Sequence, residues 1–378
     1  DYVDCGRGHR AHADGIHRRP RFNGGGIHRP AGVLRRNPVV RSQIQKTVKV
    51  KKMKNEFYIK NIEIKGMFGE EHIYWDLFQN VNILGGKNGS GKSTILKSCY
   101  SLIKDKFIKD SKLLKLSEWI CISFTNGYRL TWDKQKYNSA EYQREEGFLY
   151  HLNTNDVDKD GFIILQRCQL IDASGNPCSM DVLEYLKVYL INSFEQRLLN
   201  NNPFKDETGQ DRTYLDYLIH EQLFIRNSRF AGVFEELLNT LSNRTIDIRS
   251  VIKRTEVNAF MRFYTMLQEF MTPYSVMIDN NMRFIRKDSK NPLSYTDLSM
   301  GEKQLLLLLL MVNNTVNEPC IFFMDEPDLG MHVEWKEQLV KVLHKLNPNM
   351  QIILSTHAPS MVEGWYEQVK EVQQLIKK

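Results

Sequence analysis

The sequence predicts an α/β domain, and three observations predict it. Runs of strand length at 81–84, 320–324 and 351–354 are apolar and end in polar residues with chemistry to offer. Helical patterns follow the first two, at 94–97 and 335–346. The first run also leads directly into Gly86-Lys87-Asn88-Gly89-Ser90-Gly91-Lys92-Ser93, which is G-x-x-x-x-G-K-S followed by Thr94.

Length and composition bound this prediction. A chain of 378 residues, at roughly 150 per domain, suggests two domains or one with an insertion. With 42% hydrophobic and 26% charged residues it is neither disordered throughout nor fibrous. The longest clean apolar run, 305–312, is far short of the roughly 20 residues a membrane span needs. The N-terminus has no apolar h-region, so the expectation is a soluble, cytoplasmic protein without a membrane partner.

The formal charge of +7 is concentrated in one place. Residues 1–52 hold 13 Lys/Arg against three Asp, which leaves 39 Lys/Arg against 42 acids in the rest. This Gly-, Arg- and His-rich segment has little apolar residue to offset the entropy of ordering, so it reads as disordered. It is either a basic arm for nucleic acid or a segment outside the native fold. The first Met, Met53, immediately precedes the first strand-like pattern and favours the second. The six cysteines form no C-x-x-C pair and have no His at ligand spacing, which speaks against zinc and for reduced thiols.

The elements follow in order. Residues 57–64 alternate apolar and polar, as a half-buried strand does. In the glycine-rich loop, backbone N–H groups can curl around phosphates, and the next helix adds its positive end. Lys92 would reach the β- and γ-phosphates and Ser93 would ligate Mg²⁺, so the loop predicts ATP or GTP binding. Ser299 with Glu302 three positions on is a capping box ahead of the 305–312 run, and Gly301 leaves the first turn open to an anion. The 320–324 run is continuous, as in a strand buried on both faces, and ends in Asp325-Glu326-Pro327-Asp328. Asp325 there suits Mg²⁺ coordination through water, and Glu326 suits a general base. The 351–354 strand ends in Ser355-Thr356-His357, where His357 could donate to a γ-phosphate or simply cap the turn before Pro359.

Taken together, Walker A (86–93), signature (298–304), Walker B (322–326) and the Ser355-Thr356-His357 switch stand in the order of ABC-type ATPases. The chain most resembles the SMC/Rad50/RecF/OLD branch, across roughly 55–165 and 292–365. Its signature departs from transporter subunits, reading L-S-M-G-E-K-Q rather than L-S-G-G-Q. The resemblance implies a P-loop NTPase fold, namely an ABC-type ATPase head with a helical insertion lobe. It also implies ATP sandwiched in a head-to-tail homodimer. Ser299 and Gly301 of one head would meet the γ-phosphate held by Lys92 and Ser93 of the other. Asp325 would hold Mg²⁺, Glu326 would polarise water and His357 would sense the γ-phosphate. A glutamine ligand is expected at a strand end after the P-loop helix. Gln166, following 161–165, is the candidate for this catalytic and metal-binding place, with Gln169 close by. His332 or Asp328 would serve the loop that crosses the dimer interface.

These motifs divide the chain into a head at 53–167 and 293–378 and a helical insertion at 168–292. Runs at 180–199, 215–225, 233–241 and 257–270 have helical spacing, but no sustained heptads suggest a long coiled coil. Arg226, Arg229, Arg244, Arg249, Lys253 and Arg254 could meet nucleic acid, yet interspersed acids make an ordinary solvated surface the simpler reading. About twenty residues follow His357, too few for the Toprim nuclease of OLD proteins, so any nuclease is expected in a separate chain. Such heads resemble the ATPase components of bacterial anti-phage systems of Septu, PARIS and retron type. The function expected is an ATP-driven switch for a separate effector. A RecF-like DNA-repair ATPase is the alternative, and a transporter ATPase subunit is a weaker third.

Overall fold

The computed structural model describes residues 57–67, 71–104, 117–137, 163–192, 205, 209, 212–242, 255–271, 274–276, 283–286 and 291–377. The basic segment 1–52 lies outside the described residues.

A five-stranded parallel sheet positions the site. Its strands are β3 (Val81–Gly85), β8 (Val188–Ile191), β12 (Cys320–Asp325), β13 (Met350–Ser355) and β14 (Val369–Glu371), in the order β14-β3-β13-β12-β8. Every residue of β12 and β13 is buried, which explains their unbroken apolar character. Strand alternation splits these side chains between two cores. Phe322, Met324, Ile352 and Leu354 join one cluster, and Ile321, Phe323 and Ile353 the other.

The second cluster is closed by helix α1 (Lys92–Lys104) and an antiparallel sheet. The strands of that sheet are β1 (Ile59–Met67), β2 (Glu71–Asp76), β4 (Trp119–Phe124), β5 (Arg129–Tyr137), β6 (Ile163–Ile171) and β7 (Pro177–Cys178), in the order β2-β1-β4-β5-β6-β7. Gln351 fastens this sheet to the parallel one. Its Oε1 accepts from the Ile59 N–H at 2.8 Å, and its Nε2 donates to the carbonyls of Ile59 and Phe78, each at 2.8 Å. A fully buried amide is stable there because its donor and acceptor groups are satisfied by backbone.

The first cluster lies under the insertion. Helices α2 (Tyr214–Ser242) and α3 (Thr255–Phe270) pack on α4 (Met300–Asn313), which in turn packs on α5 (Val333–Leu346). Helix α4 is apolar all round because the parallel sheet lies on one side and the lobe on the other, and its residues Leu305 to Leu310 are fully buried. Lys303 of α4 meets Asp216 of α2 at 2.8 Å, tying lobe to head.

The insertion differs from the expected 168–292 helical lobe in two ways. Residues 168–171, 177–178 and 188–191 belong to the sheets. Of the 180–199 run, expected as helix, residues 180–192 hold a short 3-10 segment (Met180–Tyr185) followed by β8, which pairs in parallel with β12 from Ile321↔Val188 to Met324↔Ile191, and 193–199 lie outside the described residues. A short Val-Tyr-Leu-Ile run beside an apolar strand gains more from the sheet ladder than from helical spacing. The lobe also carries a three-stranded antiparallel sheet, β11-β10-β9, from β9 (Tyr274–Val276), β10 (Phe284–Arg286) and β11 (Pro292–Leu293). The 215–225 and 233–241 runs form one helix, α2. Its Arg226 is buried rather than solvated, donating to the Tyr264 hydroxyl at 2.8 Å. Arg229 donates to the Asn314 carbonyl. Arg244, Arg249, Lys253 and Arg254 lie outside the described residues.

Candidate nucleotide-binding site

The C-terminal ends of β3, β12 and β13 converge on one open cleft of about 920 Å³. Asn88, Gly89, Gly91, Lys92, Ser93 and Thr94 line one wall, and Glu326, Asp328, Leu329, Lys336, His357 and Ala358 line the other. Gly86, Lys87 and Ser90 complete the loop behind the first wall. Gly86 has φ +129°, a conformation open to glycine, and a Cβ there would stand 3.2 Å from the Ser90 hydroxyl.

Lys92 curls back over its own loop, donating to the carbonyls of Gly86 at 2.9 Å and Lys87 at 3.1 Å. Burial draws its ammonium below the ordinary lysine value, against the opposing pull of Glu326 and Asp325. One residue on, the Ser93 hydroxyl donates to Asp325 Oδ1 at 2.7 Å. The Ser355 hydroxyl donates to the same oxygen at 2.7 Å, and Lys97 Nζ stands 2.9 Å from Oδ2. Burial alone would raise the Asp325 carboxyl, but hydrogen bonds from Lys97, Ser355 and Ser93 outweigh it and hold the group below its ordinary value. Asp325 is therefore an anion at neutral pH.

Glu326 departs from regular backbone, with φ +49° just before Pro327. Left-handed backbone at such a residue costs on the order of 1–3 kcal/mol. The amide gains a partner in return, donating to the Ser355 carbonyl at 3.0 Å. The turn points the carboxylate into the cleft, where Oε1 meets His357 Nε2 at 3.2 Å.

The signature forms as its capping box predicts. The Ser299 N–H donates to Glu302 Oε2 at 2.7 Å, and Ser299 Oγ accepts from the Glu302 N–H at 3.4 Å. Neither Ser299 nor Gly301 lines the cleft of its own chain. Gly301 packs against the loop after Walker B, where a Cβ would lie 2.5 Å from the Gly330 carbonyl oxygen. His332 caps α5 without a side-chain hydrogen bond, whereas Asp328 is buried on the cleft wall.

Gln166 is not brought to the cleft. It lies mid-strand in β6 of the antiparallel sheet, opposite Lys134 of β5, and Gln169 lies further along the same strand. The strand of the nucleotide sheet that ends nearby in sequence is β8, with Asn192 next. Lys97, Ser355, Thr356 and Lys336 join the site beyond the residues that the sequence motifs single out. Lys97 was within reach, since it stands one helical turn after Ser93.

The deciding feature is the arrangement along one sheet. The P-loop strand and the Walker B strand flank the strand of the switch histidine, and a capped signature helix packs beneath. The fold is that of an ABC-type ATPase head. The chain matches, over residues 185–363, the family described as "AAA domain, putative AbiEii toxin, Type IV TA system". It is 28% identical over 163 residues to "Retron Vc95 probable ATPase" of Vibrio cholerae serotype O1 biovar El Tor, covering 37% of this chain and 31% of that protein. It is 19% identical over 320 residues to "Septu protein PtuA" of Bacillus thuringiensis, covering 81% and 73% respectively. A third relative, "Retron Ec83 probable ATPase" of Escherichia coli, is 29% identical over 114 residues, covering 27% and 20%. The chain thus spans about a third or less of either retron protein. Among solved structures, the SMC head bound to the C-winged helix domain of ScpA is similar at 15% identity and a TM-score of 0.45, covering 81% of this chain and 92% of that one. Among the described residues, no helix is long and apolar enough to cross a membrane.

Proposed function

We propose that the head binds ATP with Mg²⁺, hydrolyses it between two copies of the chain, and serves as a switch for a separate effector, a nuclease, in anti-phage defence. The observation that carries the chemistry is the pair of constellations in one cleft, Ser93 with Asp325 and Glu326 with His357. Ser93 and Asp325 offer hard oxygen donors 2.7 Å apart, which fits Mg²⁺, an ion that keeps most of its waters and takes few protein ligands. When bound there, the ion neutralises charge on the β- and γ-phosphates.

The protein's own groups account for the remaining chemistry. Amides of the 86–91 loop and the first turn of α1 cradle phosphate, and Lys92 exchanges its loop carbonyls for phosphate oxygens. Glu326 accepts a proton from the attacking water, a role worth roughly 10²–10⁴ in rate. His357, held against Glu326, orients that carboxylate and donates toward the γ-phosphate.

Two features support pairing of heads. Ser299 is exposed and lies outside its own cleft, as a residue serving a second chain would, whereas Gly301 is buried against its own Gly330. Leu329 and Val333, beside the cleft, are 52% and 61% exposed, an apolar surface that a second head would cover. The retron and Septu names of the relatives support the defence role and the separate effector.

Steady-state ATP turnover of the chain and of Lys92→Ala tests the enzymatic reading. Mg²⁺-dependent turnover lost in the variant is the result expected. Turnover that survives Lys92→Ala would place hydrolysis elsewhere.

A further inference from the structure

Asp328 is 6% exposed, and neither of its oxygens is left to the cleft it lines. Oδ1 accepts from the Thr356 hydroxyl at 3.0 Å, and Oδ2 pairs with Lys336 Nζ of α5 at 3.2 Å. Thr356 Oγ1 in turn accepts from the Ala358 N–H at 3.0 Å, and the Thr356 N–H donates to the Leu84 carbonyl at 3.3 Å. The residue between Thr356 and Ala358 is His357. Its backbone is therefore fastened on both sides, to β3 before it and, through one hydroxyl, to Asp328 after it.

We propose that Asp328 is a positioning residue for His357, acting through Thr356 to hold the switch turn so that the imidazole stays against Glu326. A buried carboxylate is tolerated only with partners, and Lys336 supplies the compensating charge. Thr356 spends its oxygen on the Ala358 amide and its proton on Asp328. Valine, which matches its shape, can do neither. The arrangement also joins three parts of the chain, because Asp328 starts the loop whose Gly330 carbonyl packs on Gly301 of the signature. The role in hydrolysis rests on the reading of Glu326 and His357 as the hydrolytic pair, whereas the positioning itself is observable without turnover.

The test uses the full chain with ¹⁵N-labelled histidine. The His357 ring signal is assigned by its loss in His357→Asn, and Glu326→Ala gives the position of a ring deprived of its partner. Thr356→Val and Asp328→Ala are each expected to move the signal toward the Glu326→Ala position, with the double variant moving it no further. Thr356→Ser and Asp328→Asn, which keep the hydrogen bond, are expected to leave it in place. Turnover in Thr356→Val is expected to fall about tenfold or more while the binding of a fluorescent ATP analogue stays within about threefold. A ring signal unmoved by Thr356→Val overturns the proposal, and that variant carries the test even if Asp328→Ala fails to fold. Absence of turnover in the wild type would sink the hydrolytic reading instead, leaving the ring signals to decide positioning.

Discussion

Lys97 Nζ lies 2.9 Å from Asp325 Oδ2, while the hydroxyls of Ser93 and Ser355 both donate to Oδ1 at 2.7 Å. Ser93 and Lys97 stand four residues apart on one face of α1, so the P-loop helix grips the Walker B carboxylate at two points. The grip joins the two motifs that must act on one phosphate chain.

Removing the cation should therefore unsettle Asp325. Lys97→Met is expected to destabilise the head by about 1–2 kcal/mol at pH 7, a modest value because Lys97 is 30% exposed. The pH dependence has a definite sign. Asp325 sits below its ordinary value of 3.8 in the folded chain, so its contribution is present above that value and lost as pH falls through the lowered folded value. Urea unfolding of both proteins should show a gap that is full at pH 7 and narrows below about pH 4.

Gly301→Ala tests the contact between signature and loop. The added Cβ would stand 2.5 Å from the Gly330 carbonyl oxygen, a backbone atom that cannot rotate away. The expected loss is about 1–3 kcal/mol in urea unfolding.

Gln351→Leu should be worse. It leaves the Ile59 amide and carbonyl without their side-chain partner in a dry interior, at about 2–4 kcal/mol. Thermal unfolding should report a markedly lower Tm, and an unchanged Tm would mean the two sheets are not joined through this amide.

The cysteines give a chemical check. Burial pushes the thiols of Cys99, Cys168 and Cys320 up to about 12, so they stay protonated across pH 6–9. Native chain treated with a thiol reagent should leave these three unmodified, and urea should release them.

Much of this was legible in the sequence because the decisive signals are local. The P-loop, the capping box at Ser299 and Glu302, and the acids at the end of β12 are each read from a few adjacent residues. Gln166 shows where that stops. Its strand was visible, but which sheet the strand joins depends on pairing with β5, and strand pairing leaves no mark in the run itself. Residues 188–191 failed similarly, since their place beside β12 is set by a partner more than a hundred residues away. Asp328, Thr356 and Lys336 meet only once two loops and a helix are folded together.

We propose that Glu326 drives hydrolysis of ATP held between two heads. Sedimentation of the full chain with Glu326→Gln, in Mg²⁺ and ATP, tests this reaction. The variant should retain bound ATP, lose turnover by at least about a hundredfold and sediment as a dimer, while the nucleotide-free form does not. A variant that turns ATP over normally, or binds it with no change in association, would overturn this mechanism.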